Sequence, residues 1–215
     1  MCRILITAGV LMLIGAAQAA ELRVLVKDHH GKPVADAVVL AVASDPKIAL
    51  RARLPMDAVD QVDKQFVPYV KTIYVGSKVR FPNSDHIRHQ VYSFSPAKKF
   101  ELPLYAGTDA PPVIFDKPGV IVLGCNIHDW MVGYIYVAET PFFAKTVAGA
   151  AAIDDMPPGE YTVRVWHPSM EHGEETTVRR VTLNADGPTS VAWDIALKPA
   201  LKIPRVSGAG SPGYP

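Results

Sequence analysis

The stretch Val120-Ile121-Val122-Leu123-Gly124-Cys125-Asn126-Ile127-His128-Asp129-Trp130-Met131-Val132-Gly133-Tyr134-Ile135-Tyr136-Val137 sets three metal-binding side chains between two apolar runs, each meeting the loop at a glycine. Runs rich in Val, Ile and Tyr have the composition of strands, and the residues between them form the loop of a hairpin. A loop of that size folds Cys125, His128 and Met131, spaced C-x-x-H-x-x-M, onto one point. Thiolate, imidazole and thioether form a soft set that favours copper, Cu(I) in particular, over magnesium, calcium or manganese. Zinc is the main rival, but structural zinc sites use four Cys or His ligands and no thioether, and here no second thiol lies nearby.

A copper site of the electron-transfer kind needs one more imidazole, completing a trigonal His₂Cys set with a long axial Met. The chain offers His86 and His89. His89 immediately precedes the alternating strand Gln90-Val91-Tyr92-Ser93-Phe94 and can point inward from its mouth, whereas His86 sits in the polar link Ser84-Asp85-His86. The expected ligands are His89, Cys125, His128 and Met131, with His86 as the fallback.

Around this loop, residues 66–138 read as short strands at 69–75, 78–81, 90–94, 113–115, 120–124 and 133–137, divided by Gly and Pro turns. That pattern predicts a sandwich or barrel. No stretch has the length and caps of a convincing helix, so an α/β enzyme is not expected. Residues 54–64 carry Asp57, Asp60 and Asp63 on what reads as a short helix or loop; without a glycine-centred ligand loop, these carboxylates are a solvated face and not a calcium site.

Upstream, residues 22–26 alternate, His29-His30-Gly31-Lys32-Pro33 supplies turn residues, and residues 37–42 form a second apolar run, together predicting a β-hairpin. His29 and His30 are read as exposed turn residues. Downstream, strands at 151–153, 161–166, 176–183 and 190–197, with the turn Met156-Pro157-Pro158-Gly159, predict a second small β unit. His167 and His172 receive no role, because a His without a partner rarely marks a site.

The first residues run Met1-Cys2-Arg3, an apolar stretch over 4–16, then Ala17-Gln18-Ala19 before Glu21, the order of a secretory signal cleaved after Ala19. The apolar stretch is too short to span a bilayer core of roughly 30 Å as a helix. Cleavage would remove Cys2 and leave Cys125 as the only thiol, excluding an internal disulfide in a compartment that permits them. Lys and Arg (22) nearly balance Asp and Glu (21), so no charge field points to nucleic acid or an anionic membrane.

Val79-Arg80-Phe81-Pro82-Asn83, then His89-Gln90-Val91, then residues 124–133 resemble the cupredoxins, and the ligand loop has amicyanin's spacing. The resemblance covers roughly residues 66–138. It implies a Greek-key β-sandwich holding one type 1 copper, with His89 and His128 as imidazole ligands, Cys125 as thiolate and Met131 as axial ligand. The same segment resembles exported proteins labelled methylamine utilisation proteins. Two positions depart from the amicyanin and plastocyanin pattern: Ile127 stands where they carry Pro, and Gln90 where they carry Asn. A Pro lacks a backbone donor, so Ile127 adds one near the thiolate. Residues 22–42 and 146–167 resemble the two halves of a carboxypeptidase regulatory-like, prealbumin-type sandwich, with the copper unit inserted between them; the simpler alternative makes residues 22–42 the first strands of the copper unit.

The expected architecture is therefore all-β, a Greek-key cupredoxin sandwich plus a second small β-sandwich. Its segments are a signal (1–19), an N-terminal hairpin (20–50), the copper unit (55–138), the second β unit (139–200) and a disordered tail (201–215). The expected function is a periplasmic one-electron carrier serving an unidentified redox protein partner. Catalysis is not expected, since four protein ligands leave no open position on the metal. The competing expectations are a copper-delivering carrier and an adaptor with a structural copper site.

Overall fold

Alternation governs the first strand: Leu22, Val24 and Val26 are buried while Arg23, Leu25 and Lys27 face out. Each such side chain contributes about 1.5–3 kcal/mol when buried. A one-residue slip would turn all three outward, so the register is strongly set. The computed structural model describes residues 19–48, 56–107 and 110–199. The expected signal, apart from Ala19, and the expected tail lie outside the described residues.

In chain order the strands are β1 (Ala20–Asp28), β2 (Val38–Ala43), β3 (Met56–Ala58), β4 (Asp60–Val62), β5 (Gln65–Val67), β6 (Val70–Tyr74), β7 (Lys78–Arg80), β8 (His89–Ser95) and β9 (Lys98–Tyr105). They continue as β10 (Val113–Ile114), β11 (Gly119–Gly124), β12 (Val132–Ala138), β13 (Phe143–Lys145), β14 (Ala150–Met156) and β15 (Gly159–Trp166). After one 3₁₀ turn (Glu174–Thr177) come β16 (Arg179–Leu183) and β17 (Thr189–Ile195). The protein is all-β, built as two sandwiches.

The first sandwich faces the sheet β6-β12-β11-β8-β9 against the sheet β10-β7-β3, with the β4-β5 hairpin alongside. The chain crosses between the sheets after β6, β7, β9 and β10, which gives the Greek-key order. Phe66, Phe81, Phe115, Ile121, Leu123 and Ile135 fill its core, and Cys125 and Met131 belong to the same cluster. The second sandwich faces β14-β1-β17 against β13-β2-β15-β16 over a core that includes Tyr161 and Trp193.

The N-terminal segment corrects the expected hairpin. β1 pairs with β14 and β17, whereas β2 pairs with β13 and β15; the turn at His29 to Gly31 folds only residues 32–34 back onto β1, where the Val34 N–H donates to the Val26 carbonyl at 3.0 Å, before the chain passes to the other sheet. The apolar run in β2 explains the difference. Val39 and Ala41 face the second sandwich's core, while Val38 and Leu40 face the first sandwich, where they pack with Val70, Tyr136 and Ala138. A strand buried on both faces reads as a continuous apolar run. Strands from both ends of the chain thus share one sandwich, and β3 to β12 are inserted between them.

Polar contacts reinforce this junction. Tyr136 Oη on β12 donates to Glu174 Oε2 at 2.6 Å, Arg164 on β15 pairs with Glu139, and the Trp166 ring lies 5.4 Å from that of Tyr136. Residues 56–64 hold no helix. They form β3, β4 and a turn in which Asp63 and Lys64 have positive φ.

Candidate metal centre

The β11-β12 hairpin positions most of the site. Gly124 pairs with Val132, closing a seven-residue loop from Cys125 to Met131, and the Met131 N–H donates to the His128 carbonyl at 2.9 Å. Across the sheet Gly124 pairs with Tyr92 of β8, which brings the loop beside the start of that strand, where His89 stands. Gly124 leaves room for the Tyr92 ring, whose Cζ would lie 2.7 Å from a Cβ at this position.

His89, Cys125 and His128 each offer one donor atom, and the three lie within 4.8 Å of one another. His89 is 0%, Cys125 3% and His128 8% exposed, so all three are withdrawn from water. Met131, 1% exposed, is buried with Cys125 in one core cluster. His86 is exposed and takes no part in the group. His29, His30 and His172 are exposed as well.

Each imidazole has a nitrogen to give. His89 donates Nε2–H to Asp85 Oδ2 at 2.7 Å, which leaves Nδ1 facing Cys125 Sγ at 3.8 Å. His128 Nδ1 is buried and has no hydrogen-bond partner. An orphaned buried nitrogen is costly unless something binds it. Burial first, then the neighbouring His89 ring and Lys64, push the His128 imidazole below its ordinary pKa, with Asp85 opposing, so the neutral ligating form prevails near pH 7.

The donors fit a small, soft cation. Metal bonds of about 2.3 Å to sulfur and about 2.0 to 2.1 Å to nitrogen place the two donors about 3.5 Å apart at a tetrahedral angle and about 3.8 Å at 120°. The observed 3.8 Å between Cys125 Sγ and His89 Nδ1 lies within the reach of one metal ion bound to both. Two imidazoles and a thiol gathered this closely suit copper.

No family model and no curated protein matches the chain. Among solved structures, the copper-containing nitrite reductase NirK from Thermus scotoductus SA-01 is similar at 29% identity over 46% of this chain and 27% of that one, with a TM-score of 0.38. A purple cupredoxin from Nitrosopumilus maritimus is similar at 24% identity over 39% of this chain and 98% of its own, with a TM-score of 0.34. The reduced Cu(I) form of an amicyanin variant is similar at 19% identity, 46% and 98% coverage, and a TM-score of 0.36. This chain spans little more than a quarter, 27%, of the nitrite reductase.

Several residues behind the donors escaped sequence reasoning. Asp85 reads there only as part of a polar link, yet its carboxylate fixes His89 and accepts the Asp63 N–H at 2.7 Å and the Lys64 N–H at 2.9 Å. Partial burial pushes the Asp85 carboxyl up, but the Lys64 N–H, the His89 ring and the Asp63 N–H outweigh it and hold the pKa below the ordinary carboxylate value. Buried Asn83 donates to the carbonyls of Ile87 and Tyr105, both at 2.9 Å, bracing the segment that leads to His89. The i,i+4 spacing of Asp85 and His89 is the one signal in the sequence that could have drawn attention to the pair.

The two departures from the cupredoxin pattern have different outcomes. Gln90 Oε1 accepts from Asn126 Nδ2 at 2.6 Å, so Gln90 ties the ligand loop to β8. The expected donor from Ile127 to the thiolate is not formed; among the described residues Cys125 Sγ has one polar contact, His89 Nδ1. Ile127 and Trp130 are each 48% exposed, and the Trp130 ring lies 5.2 Å from the His128 ring.

Proposed function

We propose that this protein is an exported type 1 copper protein that carries single electrons to or from a redox protein in the periplasm. The observation that carries the proposal is the set of three buried donors, His89, Cys125 and His128, within 4.8 Å of one another. Met131 would supply the axial thioether. Bound copper would supply a one-electron couple between Cu(I) and Cu(II).

The chain's own residues provide what such a couple needs. Cys125 and Met131 flank a hairpin whose ends are paired, and His89 is locked by Asp85, so the donors hold their places whichever oxidation state they surround. Burial keeps water away from the thiol and both imidazoles. His128 retains a slightly exposed edge beside Ile127 and Trp130, both exposed, which gives a partner protein an apolar approach close to the donors. Four protein donors leave no place for substrate, which favours a carrier over an enzyme. The second sandwich, of prealbumin-like type in this reading, serves as a scaffold fused to β12 through the Tyr136 and Trp166 contacts.

Visible absorption and electron paramagnetic resonance of the chain loaded with Cu(II) test the proposal. An intense thiolate band with narrow copper hyperfine splitting, both lost in Cys125→Ser, is the expected result. A pale, tetragonal spectrum would replace electron transfer with copper handling.

A further inference from the structure

We propose that Asp85 is a positioning residue that holds a fixed negative charge behind His89 and thereby biases the centre toward its oxidised, more highly charged state; this rests on the copper reading above. The contact itself is short and sheltered: Nε2 of His89 lies 2.7 Å from Asp85 Oδ2, with the two side chains 0% and 14% exposed.

The carboxylate has little freedom to move. Oδ1 accepts the Asp63 N–H at 2.7 Å and Oδ2 accepts the Lys64 N–H at 2.9 Å. Both donors lie in a turn whose residues have φ of 51° and 59°. Neither is glycine, and L-residues in this left-handed region are disfavoured by about 1–2 kcal/mol each. Successive N–H groups in such turns form an anion-binding concavity, and here the anion is a side chain of the same protein. The Asp85 backbone N–H donates to Asn83 Oδ1 at 3.0 Å, and Ser84 Oγ donates to Asp60 Oδ2 at 2.8 Å, so the main chain on the N-terminal side of Asp85 is held as well. Strained backbone of this kind persists where the surroundings over-determine it, commonly at functional sites.

The consequence follows from charge. A carboxylate on the far nitrogen of a ligating imidazole fixes the tautomer and raises the basicity of the near nitrogen, and losing such a partner lowers metal affinity by about 10- to 100-fold. Cu(II) carries one more positive charge than Cu(I), so the loss falls mainly on Cu(II). Arg88 is exposed on the same segment, and among the described residues only Asp85 makes a side-chain ion pair with His89.

The test is Asp85→Asn in the full chain, with Cu(II) and Cu(I) affinities measured separately by chelator competition and the reduction potential by redox titration. The variant should bind Cu(II) about 10- to 100-fold more weakly with Cu(I) affinity little changed, raising the potential by about 59–118 mV at 59 mV per tenfold for one electron. Equal losses for both ions, with no change in potential, would overturn the inference and leave Asp85 a structural residue. A parent protein that binds no copper would sink the copper reading itself, a distinguishable result. Should the Asn variant not fold, nitrogen NMR of the parent loaded with Cu(I) decides: a slowly exchanging Nε2–H on His89 supports the contact, and coordination through Nε2 would overturn it.

Discussion

Gly133→Ala tests how tightly the ligand hairpin is packed on the core. A Cβ at position 133 would stand 2.7 Å from Cβ of Phe66, 3.1 Å from Cγ and 3.2 Å from Cδ2. Carbon atoms in contact prefer about 3.5–4.0 Å, so the overlap is about 1 Å. Phe66 cannot turn away, because the atom struck is the one attached to its backbone. That backbone is paired with Gln61 in the β4-β5 hairpin, and the side chain is buried. Either β5 or β12 must shift, and overpacking of this kind typically costs about 1–3 kcal/mol. Gly124→Ala is the internal control. Its Cβ would meet Tyr92 at Cζ, also at 2.7 Å, but that is the far end of a half-buried ring that can swing outward. Urea unfolding of the metal-free proteins, followed by near-ultraviolet circular dichroism, should show Gly133→Ala losing more stability than Gly124→Ala at equal m-value. Equal or reversed losses would refute the claim that the identity of the struck atom decides the outcome.

Asn83→Leu removes the donors to the Ile87 and Tyr105 carbonyls and should destabilise the protein by about 1–3 kcal/mol, measured by denaturant unfolding. His86→Ala should leave Cu(II) affinity unchanged in a competition titration while His89→Ala abolishes the thiolate band; the opposite pattern would reassign the ligand. Metal-free protein should lose stability as pH falls below about 6.5, the ordinary His value. The sign follows from His128 and His167, whose pKa values are both lowered chiefly by burial. The unfolded chain takes up their protons first, so stability is complete above the unfolded pKa and declines as pH drops toward the folded values. Melting temperatures of the metal-free protein at pH 7.5 and 5.5 check this, and a higher value at 5.5 would contradict it.

The approach of Cys125 and His128 was legible because both lie within one loop, where spacing alone constrains geometry. His89 was legible because it heads an alternating strand. Asp85 was not, since its role depends on a turn at Asp63 and Lys64 that meets it only after β4 and β5 pair. β9 escaped for another reason: Lys98, Lys99, Glu101 and Pro103 give an edge strand no apolar alternation, although the strand is eight residues long. The N-terminal hairpin failed because sequence adjacency was taken for pairing. The double burial of β2, inscribed in the run Val38-Val39-Leu40-Ala41, required knowing that a second sandwich packs on its outer face.

The insertion of β3 to β12 between β2 and β13 also bears on the order in which strands can pair as the chain folds. β1 and β2 emerge first but find all their ladder partners, β14, β17, β13 and β15, only in the last part of the chain. Every partner of β3 to β12 lies inside the insert itself. Domains generally form as their sequence becomes available, and distant strand pairings close late. The pairings within β3 to β12 can therefore close before those of β1 and β2, whose partners arrive last.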